Sequence, residues 1–172
     1  PGLRREGRPL PVFVLADVSS SMQGDKIRAL NTGLGEMLEV LRDFDNPSVE
    51  LKLCVITFGG SVEVSVPLES PDRVQLMPLE CGGMTPMGGA FRLVHRMIKD
   101  QSIVPHNAFA PTIALLTDGM PNDDWQRPMQ ELLTDDRTRK ATRFAMAIGD
   151  DAHEHMLRQF LDNPEISVFR SS

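Results

Sequence analysis

Asp17, Ser19 and Ser21 stand at alternate positions directly after the apolar run Val12 to Ala16, in the stretch Pro-Val-Phe-Val-Leu-Ala-Asp-Val-Ser-Ser-Ser-Met-Gln-Gly. A loop that curls can turn alternate oxygens onto one point, and hard cations such as Mg²⁺ take oxygen ligands. Two further stretches fit the same plan. Pro-Thr-Ile-Ala-Leu-Leu-Thr-Asp, residues 111 to 118, repeats an apolar strand closed by an aspartate, Asp118, with Gly119 as the turn residue. Gly-Gly-Met-Thr-Pro-Met-Gly-Gly-Ala, residues 82 to 90, sets Thr85 before Pro86 in the N-cap and N1 order that opens a helix. Taken singly, Ser19, Ser21 and Thr85 read more readily as simple caps or turn residues. Taken together, Asp17, Ser19, Ser21, Thr85 and Asp118 predict a divalent-cation site assembled from three loops.

Such a site needs elements that bring the loops to one place. Val12 to Ala16 reads as a central parallel strand covered on both faces. Ile27, Leu30, Leu34, Met37, Leu38 and Leu41 then mark one face of a helix that opens near Gly24-Asp25 and ends at Asp45-Asn46-Pro47. Val49 to Phe58 is the next strand, Gly59-Gly60 a tight hairpin, and Ser61 to Leu68 an alternating, half-exposed antiparallel edge. Met87, Ala90, Phe91, Val94 and Ile98 give a second amphipathic helix. Gly88 and Gly89 in its first turn cost helix stability, and are expected to keep the loop near the cation uncrowded.

The strand closed by Asp118 is followed by a short helix through Trp125, Met129, Leu132 and Leu133, a strand from Arg143 to Ile148, a helix from His153 to Leu161, and an edge strand from Ile166 to Phe169. This alternation predicts an α/β, doubly wound, Rossmann-like fold. Its central six-stranded sheet is mostly parallel with one antiparallel edge, and helices cover both faces. Ligands of such folds bind beyond the carboxyl ends of the strands, where these loops leave. Asp150 or Asp151 is expected to cap the helix that comes next, and Asp123 and Asp124 to cap the Trp125 helix or lie on the rim of the site. Met22, Met84, Met87 and Met120 flank the loops, filling gaps in packing or offering adaptable contacts to a partner.

A chain of 172 residues suits one domain with a substantial core, here residues 9 to 172 behind a lead-in at 1 to 8. The net charge of −6 and dispersed Lys and Arg argue against nucleic-acid binding. No apolar run is long enough to cross a bilayer. Cys54 and Cys81 form neither a zinc pattern nor a disulfide framework, which points to a reducing, cytoplasmic setting.

The set Asp-x-Ser-x-Ser (Asp17, Ser19, Ser21), Thr85 in Thr-Pro-Met-Gly and Asp118 in Thr-Asp-Gly resembles the complete metal ion-dependent adhesion site of von Willebrand factor type A domains. The resemblance spans residues 9 to 170. Asp-Val-Ser-Ser-Ser-Met-Gln-Gly-Asp-Lys-Ile, Val-Ile-Thr-Phe-Gly and Leu-Thr-Asp-Gly-Met-Pro-Asn-Asp are similar to bacterial TerY-like proteins of tellurite-resistance and stress operons. The resemblance implies direct binding of the cation by Ser19 and Ser21. It implies that Asp17 acts through water, and Thr85 or Asp118 directly or through water. Neutral hydroxyls leave the ion's charge less quenched, so that a partner's Asp or Glu can complete the octahedron. Mg²⁺ fits best, with Mn²⁺ or Ca²⁺ able to replace it. The partners it implies are an operon-encoded kinase, a phosphatase or another Ter protein, and the alternative is a subunit of an AAA+ chelatase or remodelling complex.

Catalysis is not expected. There is no Gly-x-Ser-x-Gly elbow, no Gly-x-x-x-x-Gly-Lys-Ser/Thr phosphate loop and no dinucleotide fingerprint. The Asp-x-Asp-x-Thr of aspartyl phosphatases is broken, since Ser19 stands where the second aspartate would be.

Overall fold

The computed structural model describes residues 7–119, 121–150 and 152–171. In chain order these form β1 (Arg8–Asp17), α1 (Asp25–Asp43), β2 (Val49–Gly59), β3 (Ser61–Glu69), α2 (Met87–Lys99), β4 (Thr112–Thr117), α3 (Gln126–Thr134), β5 (Thr142–Ile148), α4 (Glu154–Leu161) and β6 (Phe169–Ser171). Short 3₁₀ turns lie at Ser20–Met22 and Pro71–Arg73. The six strands make one sheet in the order β3-β2-β1-β4-β5-β6. All neighbours are parallel except β2 and β3, the expected hairpin edge.

Alternation along the buried strands divides the core in two. Phe13 and Leu15 point to the face carrying α2, α3 and α4, while Val14 and Ala16 point to the face carrying α1. On the first face the rings of Phe91 and Phe160 stack at 5.7 Å and lock α2 to α4. On the second, Leu30, Leu34 and Leu38 repeat every fourth residue along α1 and are buried, each contributing about 1.5–3 kcal/mol. Beyond α1 this second face is thinner: Val12, Met37, Leu41, Met146 and the half-exposed Phe144 and Phe169 line an apolar groove of about 330 Å³.

The first strand is longer than its apolar run suggests. It pairs with β2 over Arg8 to Asp17, but with β4 only over Val12 to Ala16. Arg8 turns its N–H toward the β2 side, where Ser48 O accepts it at 3.0 Å. The missing N–H groups of Pro9 and Pro11 therefore face the side where β4 has not yet begun, so neither proline breaks a ladder bond.

The last strand differs from expectation in the other direction. It runs over Phe169–Ser171 rather than from Ile166, beside Met146 to Ile148 of β5. Residues 163 to 166 are spent on a turn, in which Asn163 accepts the amides of Glu165 (3.0 Å) and Ile166 (3.2 Å). Arg158 holds Ile166 O at 2.8 Å, and Ile166 and Val168 pack on the core as the chain returns.

Sheet order reverses between β1 and β4. The crossover through α1 goes one way from β1, while α2, α3 and α4 lie on the other face as the chain builds outward through β4, β5 and β6. That reversal leaves a crevice beyond the carboxyl ends of β1 and β4, where such sheets place their ligands.

Candidate metal centre

Asp17 closes β1 at this crevice and is fully buried, not solvent-facing as a strand-end position suggests. Its carboxylate accepts three hydrogen bonds. Ser19 donates its backbone N–H at 2.9 Å and its hydroxyl at 2.6 Å to Oδ1, and the Thr117 hydroxyl donates to Oδ2 at 2.6 Å. Ser19 Oγ lies 3.1 Å from Ser21 Oγ, and Ser21 is exposed, so the chain of hydroxyls leads from the interior to the surface. Burial pushes the Asp17 carboxyl above the ordinary aspartate value; the bonds from Ser19 and Thr117 oppose this, and the neighbouring charge of Asp118 adds to it.

Asp118 comes directly after β4, one strand over, and is 1 % exposed. Among the described residues neither of its carboxylate oxygens has a hydrogen-bond partner. Among these residues the nearest cation is Lys26, with Nζ 3.6 Å from Oδ2. The main chain of Asp118 is held firmly, its C=O accepting the amide of His153 at 3.0 Å. A buried carboxylate without donors is costly unless a cation compensates it. Two carboxylates set beside serine and threonine hydroxyls form a hard oxygen set, which suits Mg²⁺, Mn²⁺ or Ca²⁺. No cluster of three His, Cys, Asp or Glu side chains occurs among the described residues, so the hydroxyls are needed to complete any such set.

The Thr85 loop is tied to both neighbours. The Ser20 amide and hydroxyl donate to Gly83 O at 3.0 and 2.9 Å, and Gly82 N donates to Val18 O at 2.8 Å. Gly60, at the tip of the β2–β3 hairpin with φ +71°, donates to Met84 O at 2.9 Å. Gly59 presses on Val18: a Cβ there would come within 2.5 Å of the Val18 carbonyl, so this glycine serves the serine loop as well as the hairpin.

Thr85 is not the cap of α2. The helix begins at Met87 with Pro86 at the N-cap, where no side chain caps it, and Thr85 lies one residue outside. The amides of Gly88 and Gly89 are taken instead by Asp123, at 2.8 and 3.0 Å. Asp123 therefore caps α2 from across the crevice and not α3, whose N-cap Trp125 likewise lacks a side-chain bond. This also corrects the expected role of Gly88 and Gly89. A Cβ on Gly88 would lie 2.2 Å from Asp124 O and one on Gly89 2.9 Å from Val62, so they admit neighbouring segments and do not clear space around an ion.

Thr117, Asn122 and Lys26 escape the sequence reading. Asn122 clamps Thr85 in both directions, accepting its amide at 2.8 Å and donating its own to Thr85 O at 3.1 Å. The available signal for Thr117 is a polar residue ending an otherwise apolar strand. Nothing local marks the other two. Among the methionines, Met22 and Met87 are core residues and Met84 is exposed. Met120 and Asp151 lie outside the described residues, and the N-cap of α4 is His153 rather than Asp150, again without a side-chain bond.

A family model for the von Willebrand factor type A domain matches residues 12–120. No protein of curated function matches the sequence. Solved structures share the fold. Proximal thread matrix protein 1 from the mussel byssus is similar with a TM-score of 0.73 at 19% identity, over 96% of this chain and 44% of that one. A second structure of that mussel protein has a zinc-occupied metal ion-dependent adhesion site. The ArnB paralog VWA2 of Sulfolobus acidocaldarius gives 0.67 at 18%, over 97% and 42%. Manganese-loaded Plasmodium vivax TRAP gives 0.66 at 21%, over 95% and 68%. The present chain thus spans less than half of the mussel and archaeal chains.

Proposed function

The chain belongs to the von Willebrand factor type A domain family, and on that premise we propose that it is a non-catalytic, metal-dependent protein-interaction module. Asp17, Ser19, Ser21, Thr85 and Asp118 hold a divalent cation, foremost Mg²⁺, with Mn²⁺ or Ca²⁺ as substitutes. When bound, the ion offers an open coordination position to an Asp or Glu of a protein partner. The observation that carries this reading is Asp118: a buried carboxylate lacking hydrogen bonds among the described residues, beside the Asp17, Ser19 and Ser21 network.

The chain's own groups divide the work. Ser19 and Thr117 fix the orientation of Asp17. Asn122 and Asp123 fix the Thr85 loop and the start of α2, so Thr85 presents its hydroxyl from a braced backbone. Ser21, the exposed member, faces the partner. No helix among the described residues is long and apolar enough to cross a membrane.

By its resemblance to TerY-like proteins the module serves a cytoplasmic bacterial stress or tellurite-resistance system. Its partner there is a kinase, a phosphatase or another Ter protein. Affinity capture from bacterial lysate in Mg²⁺, in EDTA and with Asp118→Asn tests both levels. Capture of such a protein only by the wild type in Mg²⁺ is expected, and an AAA+ ATPase in its place would overturn the TerY-like assignment. Identical capture in all three samples would overturn the metal-dependent mechanism.

A further inference from the structure

Lys26 is the second residue of α1, and its ammonium lies 3.6 Å from Asp118 Oδ2, with side chains 20% and 1% exposed respectively. That is an awkward place for a cation. The amino end of a helix favours negative charge, so a lysine in the first turn opposes the helix dipole. Among the described residues, the acidic partners of Lys52 and Lys99 are less buried: Glu50, paired with Lys52, is 35% exposed, and Asp135, paired with Lys99, is 19% exposed. Lys26 is thus held, against the preference of its own helix, beside a nearly inaccessible carboxylate.

We propose that Lys26 is a built-in counter-cation for Asp118, which steadies the carboxylate in the metal-free protein and competes with the divalent ion, setting the affinity of the site. This rests on the reading of Asp118 as a metal ligand. Asp17 needs no such help, because Ser19 and Thr117 supply it with donors. Asp118 has no hydrogen-bond donor among the described residues, and the adjacent charge of Asp17 repels it. A single positive charge offsets part of that burden.

The sign of the competition is set by distance. An ion bound to that same oxygen, Oδ2, through a metal–oxygen bond of about 2.1 Å would lie within about 6 Å of the ammonium in its present place. Like charges at that range, partly shielded from water, repel appreciably. The ammonium therefore weakens metal binding, and bound metal by the same amount weakens the hold of Asp118 on Lys26. A lysine that only braced the fold would behave otherwise, since its removal would lower stability and metal affinity together.

The experiment uses the full chain, with Mn²⁺ alone as the probe, at fixed low salt. Lys26→Met is expected to bind Mn²⁺ at least about tenfold more tightly than wild type, while its metal-free form melts at lower temperature. Lys26→Arg should stay close to wild type in both. In an Asp118→Asn background, Lys26→Met should lower the metal-free melting temperature by less than it does in wild type, an arm that needs no metal, and an equal drop in both backgrounds overturns the pairing. Lys26→Gln is measured alongside and is read in the same way if the methionine variant does not fold. Equal or weaker Mn²⁺ binding by the neutral variants, with wild type binding normally, overturns the competition and leaves the metal site standing. Absence of Mn²⁺ binding in wild type and variants alike overturns both.

Discussion

The ends of β1 and β4 are built from the same local pattern, an apolar strand closed by an aspartate, yet their carboxylates meet opposite fates. The Asp17 carboxylate accepts from Ser19 N, Ser19 Oγ and Thr117 Oγ1, whereas the Asp118 carboxylate lacks any hydrogen bond among the described residues. The difference lies in the course of the chain after each aspartate and in the groups beside it. After Asp17 the chain folds back so that Ser19 points its amide and hydroxyl at the carboxylate. After Asp118 the amide of Gly119 goes instead to Thr117 Oγ1, at 3.0 Å. Thr117 thus accepts from one loop and donates to the other, serving Asp17 and not Asp118. Two equally buried carboxylates can therefore differ in whether the fold supplies their donors.

The largest effect should come from the carboxylate that lacks donors. Asp118→Asn is expected to lower Mn²⁺ affinity by on the order of 100-fold or more, exceeding the cost of losing a supporting residue around a metal. Its metal-free stability should change little, because relief of a buried charge offsets loss of the Lys26 contact. Calorimetric titration and thermal melts read the two quantities, and a collapse of the metal-free fold would break the contrast.

A smaller but opposite signature is expected at the hydrogen-bonded carboxylate. Asp17→Ala strands the Ser19 amide and the Thr117 hydroxyl, and should cost about 1–3 kcal/mol of metal-free stability. For a domain of this size that lowers the melting temperature by about 2–4 °C per kcal/mol. The full burial of Asp17 is what makes its loss costly to the fold. Equal melting of Asp17→Ala and Asp118→Asn would erase the distinction between the two strand ends.

The smallest effect sharpens the comparison with a third carboxylate far from the crevice. Asp135, at the end of α3, accepts the Arg137 amide at 2.8 Å and Lys99 Nζ at 2.9 Å. These donors, the Arg137 amide foremost, bring its carboxyl down to about 2. A depressed folded value means that its stabilisation is present above the unfolded value of 3.8 and is lost as pH falls toward about 2. Acid melts between those limits should therefore show a decline that Asp135→Asn flattens and Mn²⁺ does not alter. A decline unchanged in the variant would show that Asp135 does not contribute to acid sensitivity.

Much of the architecture is legible in the chain itself. Strand and helix periods mark each of the ten elements, because apolar alternation and helical spacing are local properties that burial on two faces imposes. The features that local spacing misplaces are set by partners remote in sequence. β1 gains four residues at its amino end because β2 extends beyond β4, and β6 moves because a turn at Asn163 consumes its expected start. Local spacing puts Asp123 with the nearer helix or on the rim, but 35 residues separate it from Gly88, whose amide it accepts.

By itself the sequence determined an α/β sheet with helices on both faces and a set of oxygen side chains delivered by loops at the ends of its strands. Hydroxyl and carboxylate chemistry is carried by residue type, and their periodic settings by local spacing. Only the tertiary structure decided which aspartate is satisfied and which is not, and that Thr117, Asn122, Asp123 and Lys26 contact Asp17, Thr85, the start of α2 and Asp118 in turn. Those assignments depend on hydrogen bonds and charge contacts across 35 to 100 residues. Such contacts exist only after the sheet has set its strand order and brought the carboxyl ends of β1 and β4 side by side.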